Sequence, residues 1–220
     1  MALEWGLDVL FNKYNGQMIR ILILLGMAFL FSETAMSQHA IMGGVNFSYV
    51  RNSDVLKNQV PVFAHHFGSS IRCYPFKKSP SFSVQSELLF TQKGYAQKLD
   101  EYYPVRFNYL SWTMLLNYSS INNFSINTGT EISGLLSTNV VGGMRTYNKS
   151  DIGLVLGIGY LENHRISLYA RAIYGLIPTL NYYSFDKLGN FTGDIHDLKN
   201  MTISAGIKIN LYNEKIYLFK

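Results

Sequence analysis

The sequence predicts an all-β fold, an eight-stranded antiparallel up-and-down transmembrane β-barrel, on three observations. Apolar and polar residues alternate along eight stretches of about 10 to 12 residues, the length a tilted strand needs to cross a membrane. The connections between the stretches are alternately long and short. Only 15% of the 220 residues are charged and 15% are aromatic, whereas about 25% are charged in an average soluble domain.

Residues 1–37 stand apart from this pattern. Arg20 precedes an apolar run from Ile21 to Phe31, and Ala35-Met36-Ser37 follows after a short polar step, which is the layout of a secretory signal peptide. The run falls short of the roughly 20 apolar residues of a transmembrane helix. Met18 is therefore the expected start, with residues 18–37 as the signal peptide and residues 38–220 as the barrel. Residues 1–17 read as an over-extended start, because they put Glu4, Trp5 and Asp8 where a signal should be basic. The lone Cys73 excludes an internal disulfide and reads as a small half-buried strand residue. The net charge of +5 comes without a basic run interleaved with aromatics. That excludes nucleic acid as a partner and points to outer-membrane lipid and lipopolysaccharide.

In chain order, the first strand (41–49) sets Ile41, Val45, Phe47 and Tyr49 against Met42, Gly44, Asn46 and Ser48. Residues 51–61 are polar, end at Pro61 and read as a loop. The second strand (63–74) opposes Phe63, Phe67, Ile71 and Cys73 to His66, Gly68, Ser70 and Arg72, with His65 interrupting the apolar face near the loop. After a tight turn at Phe76 to Pro80, the third strand opposes Phe82, Val84, Leu88 and Phe90 to Ser83, Gln85, Glu87 and Thr91. Residues 92–105, with five charged or proline positions, read as a long polar loop. The fourth strand (107–118) places Leu110, Trp112, Met114, Leu116 and Tyr118 opposite Tyr109, Ser111, Thr113 and Asn117.

The fifth strand, from Phe124, alternates Ile126, Thr128, Ile132 and Leu136 with Ser125, Asn127, Glu131 and Ser133, and residues 137–149 form the next loop. The sixth (151–160) sets Ile152, Leu154, Leu156, Ile158 and Tyr160 against Gly153, Val155, Gly157 and Gly159. The seventh sets Ile166, Leu168, Ala170, Ala172 and Tyr174 against Ser167, Tyr169, Arg171 and Gly175. The longest loop, 178–198, precedes the eighth, where Met201, Ile203, Ala205, Ile207, Ile209 and Leu211 oppose Thr202, Ser204, Gly206, Lys208 and Asn210. The last strand ends the barrel at Tyr212 with a trailing tail, or at Phe219.

Connections after the odd-numbered strands run about 11 to 20 residues and the others about 4 or 5, the asymmetry of long external loops and short periplasmic turns. An even strand count then leaves both termini in the periplasm. Aromatics collect near strand ends as two belts: Tyr49, Phe63, Phe90 and Tyr174 outside, Tyr74, Phe82, Tyr118, Phe124, Tyr160 and Tyr212 on the periplasmic side. The structural rival is a soluble lipocalin-like barrel that turns its apolar face inward around an apolar ligand. The near absence of charge from the apolar face, and the scarcity of charge on the other, weigh against it.

The segments SVQSELLFTQKG (83–94), YLSWTMLLNY (109–118), FSINTGTEISGLLS (124–137), DIGLVLGIGY (151–160) and ISLYARAIYGL (166–176) resemble the outer-membrane β-barrel domain family of Bacteroidetes, which includes PorT-like proteins. The resemblance implies the fold and the outer membrane, and more weakly a part in protein secretion. Trp112 departs from the Ile or Val common in the family, and the end LYNEKIYLFK departs from chains that stop at an aromatic.

The charges on the polar face are the sharpest candidates for a site. Glu87, Glu131 and Arg171 lie near the middle of their strands and Lys208 shares their face, so these four are expected to pair inside a narrow lumen. No catalytic, metal or cofactor site is expected. None of His39, His65, His66, His164 or His196 is followed two positions later by Ser, so the His-x-Ser pair of lipid A deacylases is missing. His65 and His66 point to opposite faces of one strand and cannot share a metal. Asp194, His196 and Asp197 near Asp186 read as solvated loop residues, and Gly142-Gly143 lacks the context of a phosphate loop. In the external loops Tyr102, Tyr103, Tyr147, Tyr182 and Tyr183 are the candidates for binding other envelope proteins or glycans. The sequence thus reads as a monomeric, non-catalytic barrel with a structural, adhesive or accessory interaction role. A narrow pore for small solutes or ions and an apolar-ligand carrier stand as alternatives.

Overall fold

The computed structural model describes residues 38–51, 59–76, 79, 81–98, 102–119, 123–140, 147–162, 164–179, 182–185, 191–195, 198–211 and 217–219. The expected signal peptide and over-extended start lie outside these. The strands are β1 (Gln38–Arg51), β2 (Gln59–Val60), β3 (Val62–Phe76), β4 (Phe82–Lys98), β5 (Tyr102–Ser119), β6 (Phe124–Thr138), β7 (Ser150–Tyr160), β8 (Ile166–Pro178), β9 (Tyr182–Phe185), β10 (Phe191–Ile195), β11 (Lys199–Asn210) and β12 (Tyr217–Phe219).

Eight of them, β1, β3 to β8 and β11, form an antiparallel barrel in which each pairs with its neighbour in sequence. Closure comes from β11 returning to β1, in register from Ala40 opposite Asn210 to Arg51 opposite Lys199. Gly44 faces Gly206 at this seam, and a Cβ on Gly44 would run into the Ala205 carbonyl oxygen, so the two backbones meet where only glycine fits.

The two faces are disposed the opposite way to a soluble protein. Leu156 is 62% exposed and Ile126 59%, while Glu87 and Glu131 are 1% and 2% exposed. The outward set includes Ile41, Val45, Phe67, Leu116, Leu154, Ile158, Leu168, Ile203 and Ile207. Such a continuous apolar band would be untenable in water and matches hydrocarbon. The lipocalin-like alternative is thereby corrected: the face it would turn inward is the one that points out. Aromatics at the short-turn end form cross-strand pairs, Phe82 with Tyr118 at 5.0 Å and Phe124 with Tyr160 at 4.8 Å between ring centres. Phe47 with Phe63 (5.1 Å) and Phe67 with Phe90 (5.2 Å) lie toward the other end.

Four expectations need correction. Residues 92–105 are mostly strand rather than loop, since β4 runs on to Lys98 and β5 starts at Tyr102, paired from Gln92 opposite Asn108 to Lys98 opposite Tyr102. Their polar composition reflects a hairpin whose outer half leaves the membrane. The longest loop contains a further hairpin, β9 against β10. Tyr74 is buried, on the lumen-facing parity of β3, rather than in the belt. The barrel ends at Asn210, and β12 lies parallel to the end of β3, Tyr217 beside Tyr74 and Phe219 beside Phe76. Tyr212 is outside the described residues.

Replacing Leu156, in mid-strand on the outer face, by arginine places a charge near the bilayer centre at a cost of about 2–4 kcal/mol. The expected outcome is loss of the heat-modifiable folded band after refolding into lipid vesicles, with Leu156→Ala retaining it. Unimpaired refolding of Leu156→Arg would mean that this face does not meet lipid.

Candidate functional site

The inward positions of the eight strands fill the lumen with polar side chains in tiers, and the charges among them are matched. Four cations, Arg72, Lys93, Arg171 and Lys208, meet four carboxylates, Glu87, Glu131, Asp151 and Glu162. In the upper tier Lys93 Nζ lies 2.7 Å from Glu131 Oε1 and 3.1 Å from Asp151 Oδ2. Asn200 Nδ2 donates to the same Asp151 oxygen (3.0 Å), Ser133 Oγ to Glu131 (3.1 Å), and the Lys93 ammonium stands 5.4 Å from the Tyr109 ring centre. In the middle tier Arg171 grips Glu87 with both terminal nitrogens, Nη1 to Oε2 at 2.5 Å and Nη2 to Oε1 at 2.6 Å. This fork-on-fork geometry is the strongest form of the pair. The Arg171 guanidinium also lies over Tyr169, 4.6 Å from the ring centre. In the lower tier Lys208 Nζ donates to Gln85 Oε1 (3.0 Å) and lies 3.7 Å from Glu162, while Arg72 bonds both Gln85 and Glu162.

A neutral network links the tiers. His66 bonds Asn46 Oδ1 through Nδ1 (2.7 Å) and the Tyr169 hydroxyl through Nε2, and Ser204 Oγ donates to Asn46 Oδ1 (2.8 Å). Beside it a void of about 10 Å³ is lined by Thr113, Glu131, Val155, Arg171 and Ile173 among others, room for one water at most. Above the charged tiers, Val50, Tyr95, Phe107, Tyr109, Leu135, Tyr147 and Leu198 pack into an apolar cap. It is held down by the outer half of β4, which leans across the mouth onto β1. Asn46 Nδ2 donates to Thr91 Oγ1 and to the Gln92 carbonyl (both 2.9 Å), and the Gly94 N–H to Ser48 Oγ (3.2 Å). A Cβ on Gly94 would strike the Val105 carbonyl oxygen.

All four sequence candidates point inward, but they do not form one cluster. Glu87 and Arg171 pair, Glu131 belongs to Lys93, and Lys208 serves Gln85 and Glu162. The missed partners had partial signals. Arg72 and Asp151 share the inward parity of their strands, and Lys93 follows Glu87 at intervals of two once β4 is carried past Thr91. Glu162 had none, because it sits in the turn after β7, where Leu161 adopts φ 59°, a left-handed conformation costly for leucine. Asn210 Nδ2 donates to the carbonyls of Glu162 (3.2 Å) and His164 (2.6 Å), folding this turn over the barrel end.

Of the loop tyrosines, Tyr102 and Tyr103 are exposed at the tip of the β4–β5 hairpin. Tyr147 is instead buried in the cap, its ring centre 4.7 Å from Phe107 and its hydroxyl 3.3 Å from that of Tyr95, so it is not available as a contact residue. Tyr182 and Tyr183 lie on β9 opposite Ile195 and Asp194, and their side chains are outside the described residues. His65 stacks on Phe90 at 6.2 Å on the outer face, opposite in direction to His66. Among the described residues no group of three His, Cys, Asp or Glu could hold a metal ion.

Removing one partner of the middle pair strands a buried charge. Arg171→Met is expected to cost about 3–5 kcal/mol, and Glu87→Leu combined with Arg171→Met less than the single change; urea unfolding in vesicles measures both. At Glu162 burial raises the carboxyl pKa, but the Arg72 guanidinium and the Lys208 ammonium overcome it and hold the group below its ordinary value of 4.5. A lowered folded pKa stabilises above the unfolded value and loses that contribution as pH falls through the folded one. The stability advantage of the wild type over Glu162→Gln should therefore be full near neutrality and shrink below about pH 4. A pH-independent difference would contradict the ion-pair account.

The sequence matches the outer membrane protein beta-barrel domain over residues 31–181. No curated protein matches it. Among solved structures, Neisserial surface protein A (NspA) is similar at 10% identity and TM-score 0.47, covering 79% of this chain and 97% of that one. Ail, the attachment invasion locus protein of Yersinia pestis, is similar at 13% identity and TM-score 0.41, covering 80% and 99%. OprG from Pseudomonas aeruginosa follows at 12% identity and TM-score 0.40, covering 79% and 96%. An inside-out closed barrel with a charge-matched polar lumen, in a chain whose match spans more than half its length, identifies a member of the outer membrane protein beta-barrel domain family.

Proposed function

We propose that this outer-membrane barrel is a sealed, monomeric membrane platform that acts through its outer hairpins, as an adhesive, structural or accessory interaction protein without catalysis. The observation that carries the reading is the filled lumen. Among the described residues, four ion-paired cations and an apolar cap occupy the barrel interior, and the void beside them holds only about 10 Å³, which supports a lumen closed to solutes. What remains accessible is the β4–β5 hairpin, which outgrows its barrel neighbours, is braced by β2 through Gln59 opposite Gln97, and presents Tyr102 and Tyr103. Tyrosine offers large contact area at small entropic cost, which suits binding of an envelope protein or glycan. A PorT-like part in secretion is one version of this role. In the proposed orientation both termini lie in the periplasm, the exported chain having lost residues 18–37 as a signal peptide.

Purified protein in planar bilayers is expected to give no discrete current steps. Reproducible steps would favour the narrow-pore alternative instead. Cross-linking on intact outer membranes is expected to capture a partner that Tyr102→Ala combined with Tyr103→Ala fails to capture.

A further inference from the structure

We infer that Arg51 and Lys199 form a clamp for the phosphate group of an anionic lipid of the outer leaflet. Arg51 ends β1 and Lys199 opens β11, and the two are direct partners across the closing seam. Their odd numbering puts both on the outward face, with Phe47, Tyr49, Met201 and Ile203 beneath them. Directly opposed residues on one face have Cβ atoms about 5 Å apart, and like charges so placed repel. Every lumen cation meets a carboxylate, whereas neither Arg51 nor Lys199 has one among the described residues. Arg51 is oriented but not neutralised: Nη1 donates to the Tyr174 hydroxyl (2.9 Å) and the guanidinium carbon lies 5.8 Å from that ring's centre. Among the described residues the other guanidinium donors are left for a phosphate, whose oxygens suit the planar fork.

The surface below specifies an amphiphile rather than a free ion. Tyr49 and Met201 are in contact, the hydroxyl donating to Sδ at 2.8 Å. Phe47 and Phe63 continue downward, and Ile203 is 51% exposed. A molecule with its phosphate between the two cations would lay an acyl chain along this apolar face. The clamp rests on the outer-membrane orientation given above.

The test uses the full chain refolded into phosphatidylcholine vesicles, with the thermal midpoint of the heat-modifiable band as readout. Adding lipid A is expected to raise the midpoint in the wild type. Dephosphorylated lipid A or inorganic phosphate at equal concentration should leave it unchanged. Arg51→Gln combined with Lys199→Gln should lose at least half of the rise, and Lys98→Gln, which removes another rim cation, should keep it. If the double variant does not fold, Lys199→Gln alone is expected to show a partial loss. An undiminished rise in these variants, or an equal rise with dephosphorylated lipid A, would overturn the clamp. An equal rise with inorganic phosphate would overturn its assignment to a lipid. Conductance is read separately, so current steps would sink the sealed-platform reading without touching the clamp, and the converse holds.

Discussion

Hydrocarbon offers no partner to a backbone N–H or C=O, so a sheet that crosses a membrane must close on itself. Everything else in this molecule depends on that closure. The β1–β11 seam supplies it, twelve residue pairs long from Ala40 and Asn210 to Arg51 and Lys199, with Gly44 and Gly206 letting the backbones meet. An eight-stranded barrel has an interior just wide enough for side chains. Closure therefore decides both what must face out and how little room is left within.

In that narrow interior a lone charge would be prohibitively costly, and each one among the described residues is compensated. The pairs also join strands that do not neighbour one another. Glu87 on β4 reaches Arg171 on β8, Lys93 on β4 reaches Glu131 on β6 and Asp151 on β7, and Arg72 on β3 reaches Glu162 beyond β7. They brace the barrel across its diameter, where ladder hydrogen bonds, confined to adjacent strands, cannot. They also penalise register errors, since a slip of one residue would turn Glu87 or Arg171 toward lipid.

The outer end is closed differently. Past Thr91 strand β4 leaves β3 and leans over the mouth, fastened by Asn46 and Ser48 of β1, and Tyr95, Phe107 and Tyr147 fill the space beneath. The same hairpin thus packs into the apolar cluster at the barrel mouth with one face and carries Tyr102 and Tyr103 at its tip.

Which residues face lipid and which face the lumen was legible in the sequence, because a strand's side chains alternate with a period of two and only the surroundings on each side select them. Phe82, Val84, Leu88 and Phe90 against Ser83, Gln85, Glu87 and Thr91 needed nothing more. Strand ends were less legible: polar residues such as Gln97 and Lys98 look alike in a loop and in a hairpin that runs on past the barrel. Tyr147 read as a surface tyrosine for the same reason. Alternation determined by itself that Glu87, Glu131, Arg171 and Lys208 enter the lumen. Only the tertiary structure decided their partners, because these depend on the stagger of strands around the closed barrel and on a turn that folds Glu162 inward, and neither is written in any one strand.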